Sequence, residues 1–135
     1  ERLGHGVRLI EDLDADGADA LGPVAERVHR EQICLEVCPS SNLQTGIART
    51  IAEHPVGRLH ATGFALALSS DNRLMSRTGT TRETALVAEA LDWGVGELEQ
   101  VALTALDSGF APEAQREALR EEVVRPAYAA ARRAG

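Results

Sequence analysis

Three short apolar segments, each ending abruptly in polar side chains, constrain most strongly what this chain can fold into. Buried parallel strands are apolar along their length, and they deliver reactive groups at their carboxyl ends. The segments and the polar residues that follow them are 2–4 with His5, 33–38 with Ser41 and Asn42, and 65–68 with Asp71 and Asn72. We therefore expect these side chains to meet at one edge of a parallel sheet, in the layout of a metal-assisted hydrolase site.

Four ordered motifs around these residues resemble the adenosine deaminase family, and more narrowly its actinobacterial type. They are Arg-Leu-Gly-His-Gly at 2–6, Leu-Glu-Val-Cys-Pro-Ser-Ser-Asn-Leu-Gln-Thr-Gly at 35–46, His-Pro at 54–55 and Ser-Ser-Asp-Asn-Arg-Leu-Met-Ser at 69–76. The resemblance implies an α/β fold: the C-terminal three βα units plus terminal helices of a (β/α)8 TIM barrel of the metal-dependent hydrolase type. Residues 1–135 would then be the C-terminal portion of an adenosine deaminase catalytic domain.

Two motifs of that family are missing from the 135 residues, namely the His-x-His strand and the His-Ala-Gly-Glu strand. In the family they supply three zinc ligands and the glutamate that protonates the purine ring. A complete barrel also needs about 250 residues. We therefore expect an incomplete barrel that binds zinc poorly and is inactive alone, with the missing N-terminal barrel half as a possible partner.

The resemblance gives roles to His5 and Asp71. A carboxylate oxygen at a strand end, combined with imidazoles from neighbouring strands, makes a zinc site with an open position for water. Asp71 is thus the expected Zn²⁺ ligand. His5 would be the catalytic general base or electrostatic clamp and not a ligand. Without the other motifs, His5 could equally be a histidine that caps a strand.

The resemblance implies that Asn72 contacts the substrate, because many family members have at this position an aspartate that bonds purine N7, and the actinobacterial type has asparagine. Purine N7 only accepts hydrogen bonds, and an asparagine amide donates at any pH, whereas an aspartate must first be protonated. The resemblance implies hydrolytic deamination of adenosine or deoxyadenosine to inosine and ammonia. The alternatives are that Asn72 is only a turn residue, and that the chain is a non-catalytic remnant acting only by pairing with another chain.

Other candidate residues have simpler interpretations. Asn42 either shapes the mouth of its strand or satisfies loop backbone groups, and Glu36 is either buried and paired or supports a metal ligand. A second metal site from His29, His54 and His60 is improbable, since they share no ligand spacing. The acidic segment 12–17 matches half of a calcium loop, yet Pro23 stands where a glutamate is required, so its aspartates are expected to favour the next helix N-terminus.

The composition excludes several other functions. A net charge of −7 argues against a nucleic-acid surface, and no apolar run approaches a membrane span. Cys34 and Cys38 would lie roughly 13 Å apart along one strand, too far for a disulfide. These features favour a cytoplasmic protein with no nucleic-acid or membrane partner. The purine nucleoside substrate is what the resemblance implies.

Apolar spacing and helix-starting residues predict five further elements. A capping box of Thr80 and Glu83 is expected to start one of them, with Gly94 closing it. Another is expected to begin at Pro112 and to end before Pro126. The predicted helices are 18–31, 55–60, 80–91, 96–107 and 112–124.

Overall fold

The three predicted strands form one parallel sheet. The structure is a computed structural model that describes residues 1–13 and 20–134. Its strands are β1 (Arg2–Gly4), β2 (Cys34–Val37) and β3 (Leu66–Leu68), in the order β1-β2-β3. In the register of the sheet, Leu35 of β2 pairs with Leu3 on one side and Leu66 on the other. The predicted parallel arrangement is confirmed: β1 has its predicted bounds, β2 is one residue shorter at each end, and β3 is one residue shorter at its start.

Both faces of β2 and β3 are covered, which explains why the segments are apolar throughout rather than alternating. Leu35, Val37, Leu66 and Leu68 face the main core and are buried. Cys34 lies on the opposite face and is also fully buried. The parallel sheet is thus an interior element, and its carboxyl edge is the place where polar groups can emerge.

In the described residues, helices follow each strand and make up most of the C-terminal half. A 3-10 helix spans Val7–Asp12, and a π-helical turn spans Arg120–Val124. In the described part of the chain, no helix has the length and apolar character needed to cross a membrane. The α-helices are α1 (Pro23–Arg30), α2 (Pro39–Gln44), α3 (Val56–Ala61), α4 (Arg73–Ser76), α5 (Thr80–Leu91), α6 (Val95–Asp107), α7 (Glu113–Leu119) and α8 (Arg125–Ala134).

Helix α1 begins later than the predicted start at residue 18. Pro23 occupies its first turn, where a missing N–H is harmless. The Asp12 carboxylate accepts hydrogen bonds from the backbone N–H groups of Val24 (2.9 Å) and Ala25 (2.7 Å). The expectation that the acidic segment favours this helix N-terminus is therefore confirmed for Asp12. Residues 14–17 of the calcium-loop candidate lie outside the described residues.

Helix α5 has its predicted bounds but not its predicted cap. Gly79 precedes the helix, and Thr80 is already its first residue. The Glu83 carboxylate instead reaches across to helix α2 and accepts a hydrogen bond from the Ser40 N–H at 2.8 Å. The helix is closed by Asp92 in a left-handed conformation, because Gly94 instead begins helix α6.

The predicted helix end before Pro126 is wrong. The chain stays helical through Pro126, since the π-helical turn Arg120–Val124 connects α7 to α8 without a break. Proline has no N–H and collides with the carbonyl four residues earlier in a regular α-helix. A wider turn just before proline removes that conflict, and Pro126 then sits in the first turn of α8.

Candidate active site

His5 stands directly after β1 in an unusual backbone conformation. Its N–H donates to the Glu36 carbonyl at 3.0 Å and so extends the sheet by one hydrogen bond. Its φ of 58° then turns the chain sharply. Gly6 follows with a φ of 62°, and a side chain there would collide with Leu35. The Gly-His-Gly sequence thus makes a tight turn that brings the His5 imidazole to the carboxyl edge of the sheet.

Asp71 has the same kind of conformation after β3. The sheet hydrogen bonds continue to Ser69, whose N–H donates to the Val37 carbonyl at 2.8 Å. Asp71 then adopts a φ of 53°. A positive φ is uncommon outside glycine, costs on the order of 1–3 kcal/mol, and is concentrated at functional sites. His5 and Asp71 therefore both take this uncommon conformation, each just after a strand end at the carboxyl edge of the sheet.

Helix α2 brings the polar residues that follow β2 to the same edge of the sheet. Pro39 starts this helix immediately after β2, and Ser41 and Asn42 in its first turns are buried. The Ser41 hydroxyl donates to Asp71 Oδ2 at 2.7 Å. The Asn42 amide nitrogen lies 3.2 Å from Nδ1 of His5. Ser41 and Asn42, which follow β2, thus hold the side chains of Asp71 and His5 in place.

The four side chains form one connected cluster. His5 Nε2 lies 3.6 Å from Asp71 Oδ2, and these two side chains are each about two-fifths exposed, at 42% and 41%. The cluster opens into a cleft of about 560 Å³, within the usual size of a small-molecule site. Its apolar wall includes Leu3, Val7, Leu9 and Ile47.

Asn72 is exposed and begins helix α4. Its Oδ1 accepts a hydrogen bond from the Met75 N–H at 3.0 Å, which is a standard N-cap interaction. Asn72 is not among the residues that line the cleft around His5. Because the cap uses the oxygen, the amide NH₂ of Asn72 is the end left to donate elsewhere.

Asp71 is the residue for which the sequence predicts a zinc-binding role. A catalytic zinc ion takes three protein ligands with an open fourth position. Among residues 1–13 and 20–134, no three His, Cys, Asp or Glu side chains are grouped as candidate ligands. The donor chemistry of Asp71 suits zinc, and the described residues do not form a zinc site by themselves.

His54 also belongs to this region, and the sequence did not reveal its contact with Asn42. It is only 3% exposed, and its Nε2 lies 3.1 Å from Asn42 Oδ1. Burial lowers the pKa of His54 to about 4, although the nearby Glu83 carboxylate opposes this shift. The adjacent Pro55 was a sequence signal that His54 precedes a helix, but nothing in the spacing indicated its contact with Asn42.

Asn42 and Glu36 can now be assigned contacts. The Asn42 side chain contacts two imidazoles and not loop backbone. Glu36 pairs with Arg2 at 2.9 Å, and the Arg2 guanidinium lies 3.8 Å from the centre of the Phe110 ring. Of its two predicted roles, Glu36 therefore takes the paired one, at the opposite face of the sheet from Leu35.

The two cysteines are unreactive by environment. Cys34 and Cys38 are both free thiols and both buried. Burial raises the pKa of Cys34, and it raises that of Cys38 to about 11. Since the thiolate is the reactive and metal-binding form, neither cysteine is suited to act as nucleophile or ligand.

Comparison with known proteins identifies the class of this partial barrel. The chain superposes on the solved adenine deaminase from Arthrobacter aurescens with a TM-score of 0.81 and 28% sequence identity. The superposition covers 94% of this chain and 36% of that one. It also superposes on an amidohydrolase from Burkholderia ambifaria solved with bound zinc, at a TM-score of 0.79, 15% identity and coverages of 98% and 35%. The fold is thus that of three βα units plus terminal helices of a (β/α)8 barrel, as the family resemblance implied.

The family follows from sequence comparison. The adenosine deaminase family model matches residues 1–126. The adenosine deaminase of Mycobacterium leprae is 44% identical over 131 residues, which cover 96% of this chain. The chain belongs to the adenosine deaminase family. It spans about 36% of the length of that relative.

Proposed function

We propose that this chain forms the C-terminal portion of an adenosine deaminase catalytic domain. Within a complete barrel it would take part in zinc-dependent hydrolysis of adenosine or deoxyadenosine to inosine and ammonia. The observation that carries the proposal is the meeting of His5, Ser41, Asn42 and Asp71 at one edge of a parallel sheet. The 44% identity to a curated adenosine deaminase supports the choice of substrate.

Asp71 is the proposed zinc ligand. Bound zinc would act as a Lewis acid that lowers the pKa of a coordinated water to about 7. Ser41 donates to one carboxylate oxygen of Asp71 and so fixes the orientation of the carboxylate. The remaining ligands would come from strands outside these 135 residues.

His5 is the proposed catalytic residue. Its Nε2 faces Asp71, so it can reach the oxygen that attacks purine C6 and hold or move a proton there. A donor at this position also stabilises negative charge on that oxygen as the bond to C6 forms. The apolar cleft beside it would exclude bulk water from the reacting atoms.

Asn72 is the proposed substrate contact. Because Oδ1 is held by the Met75 N–H, the NH₂ group has a defined direction and can donate to purine N7. This role does not depend on pH, since an amide does not titrate in the physiological range.

The proposed location is the cytoplasm, where thiols stay reduced. Both cysteines of the chain are free, which fits that compartment.

The test begins with the mass of the native polypeptide, read by immunoblot of source cells with an antibody against this segment. The purified native-length polypeptide is then assayed with adenosine, deoxyadenosine and adenine. Zinc-dependent release of inosine or deoxyinosine, abolished by Asp71→Ala, supports the proposal. A product of 14.4 kDa without deaminase activity contradicts it and supports the non-catalytic remnant. Preference for adenine would retain the reaction and correct the substrate.

A further inference from the structure

A continuous line of hydrogen bonds connects the backbone of helix α3 to the imidazole of His5. The Val56 N–H donates to Nδ1 of His54 at 3.0 Å. Nε2 of His54 lies 3.1 Å from Oδ1 of Asn42, and Nδ2 of Asn42 lies 3.2 Å from Nδ1 of His5. Three segments that are distant in sequence therefore meet in one chain of contacts.

The direction of this chain is determined by its first member. A backbone N–H can only donate, so Nδ1 of His54 must accept and the single proton of the neutral ring must lie on Nε2. That proton is donated to Asn42 Oδ1, which can only accept. The Asn42 NH₂ group can only donate, so Nδ1 of His5 accepts. The neutral His5 ring then carries its proton on Nε2, the nitrogen that faces Asp71.

The surroundings keep this chain intact. Asn42 and His54 are each only 3% exposed, so water does not compete for their hydrogen bonds. Burial holds the pKa of His54 near 4, so the ring stays neutral in the working range of a cytoplasmic enzyme. A protonated His54 would present a second N–H to the Val56 N–H and would break the chain at its start.

We propose that Asn42 and His54 are positioning residues that fix the ring orientation and the tautomer of His5, so that His5 Nε2–H is presented as a hydrogen-bond donor beside Asp71. This inference rests on the proposed function for its role in catalysis. The tautomer assigned to His5 can be tested whether or not the polypeptide is active. His5 was expected to be either a general base or an electrostatic clamp. A neutral ring that already carries its proton on Nε2 can act as the clamp and cannot accept a proton at that atom.

The first experiment reads the tautomers directly. The native-length polypeptide is labelled with ¹⁵N-histidine, and two-bond ¹H–¹⁵N spectra are recorded with and without zinc, with His5→Gln used for assignment. We expect both His5 and His54 to carry the proton on Nε2. In Asn42→Asp the carboxylate still accepts from His54 but cannot donate to His5, so His5 should lose the Nε2–H tautomer while His54 keeps it.

A matched control removes an unrelated imidazole. His29 packs edge-on against Phe64 and is not a member of the hydrogen-bond chain from Val56 to His5, so His29→Gln should leave the His5 signals unchanged. An unchanged His5 tautomer in Asn42→Asp, or a wild-type His5 protonated on Nδ1, would overturn the inference. These spectra remain decisive if the polypeptide has no deaminase activity, and in that case only the proposed function fails.

The second experiment separates positioning from mere structural support in the active polypeptide. We expect Asn42→Asp and His54→Ala to lower kcat by about 10–100-fold with little change in KM. His54→Gln should restore most of kcat relative to His54→Ala, because its amide can accept from Val56 and donate to Asn42. Equal kcat in all three variants, or a loss that follows only the fraction of folded protein, would contradict a positioning role.

Discussion

At the scale of single residues, Asn72 offers the cleanest test of substrate contact. Asn72→Asp keeps the helix cap, since aspartate is as good an N-cap as asparagine. A carboxylate must be protonated to donate to purine N7, so KM for adenosine should rise as pH rises in the variant and stay flat in the wild type. Steady-state kinetics between pH 5 and 8 measure this, with thermal unfolding as the control for the cap. A flat KM in both proteins would exclude the contact.

Ser41 and Ser40 form a matched pair for testing the support of Asp71. Ser41→Ala removes the 2.7 Å hydrogen bond to the Asp71 carboxylate, and we expect zinc affinity to fall about 10–100-fold. Ser40→Ala keeps the backbone N–H that Glu83 uses, so zinc affinity should be unchanged. Zinc competition against a chelator measures both variants. Equal affinity in the two variants would mean that Ser41 does not orient Asp71.

At the scale of elements, Glu83 joins helix α5 to helix α2. It is completely buried, and its carboxylate accepts from the Ser40 N–H and from the Thr78 hydroxyl. Glu83→Ala leaves the partly buried Ser40 N–H without its partner, so we expect a loss of about 1 kcal/mol in the free energy of unfolding from this source alone. Glu89→Ala, on the exposed face of the same helix, should cost little. Denaturant unfolding compares the two, and equal losses would refute the bridging role.

The sequence predicted the elements better than it predicted their ends. Parallel strands and the bounds of α5 follow from apolar runs and helix periodicity, which are local signals. The helix through Pro126 could not be foreseen, because a π-helical turn in the preceding residues is what accommodates the proline. Glu83 matched a capping box by spacing, yet its real partner, Ser40, is 43 residues away in sequence.

In the candidate site, too, some features were predicted from the sequence and others were not. His5 and Asp71 stand out because polar residues that end apolar strands converge wherever the sheet is parallel. The contact between Asn42 and His54 depends on how α2 and the segment before α3 pack, and no spacing in the chain encodes it. Hydrogen-bond partners that are set by packing were therefore missed, whereas positions set by strand ends were predicted.

At the scale of the whole molecule, His54 makes stability depend on pH. Its pKa is about 4 in the native state against an ordinary 6.5, so the unfolded chain takes up a proton first as pH falls. The free energy of unfolding should be highest above pH 6.5 and decline toward pH 4, by roughly 3 kcal/mol at most. Urea unfolding of wild type and His54→Gln isolates this contribution, since only the wild type should show it. His29→Gln should behave as wild type, and parallel pH curves for wild type and His54→Gln would contradict the assignment.

The two outer strands of the sheet, β1 and β3, are each paired on one side only in the described residues. Unpaired parallel edges attract other strands. We expect the 135 residues expressed alone to self-associate and to bind a hydrophobic dye, and the native-length polypeptide to do neither if it completes the barrel. Size-exclusion chromatography with light scattering measures the difference. A monodisperse, dye-free monomer of 14.4 kDa would show that these edges need no partner.

The Val56 N–H belongs to the first turn of helix α3 and also donates to His54, so motion of that turn affects the site. It is one of the donors that the first turn of any helix leaves without an intrahelical partner, and here it sets the proton position of two imidazoles in succession. Fraying of that first turn would release His54, and His5 would lose its fixed orientation in the same event. Hydrogen exchange at the Val56 amide should therefore report how often the histidine at the barrel mouth is out of position.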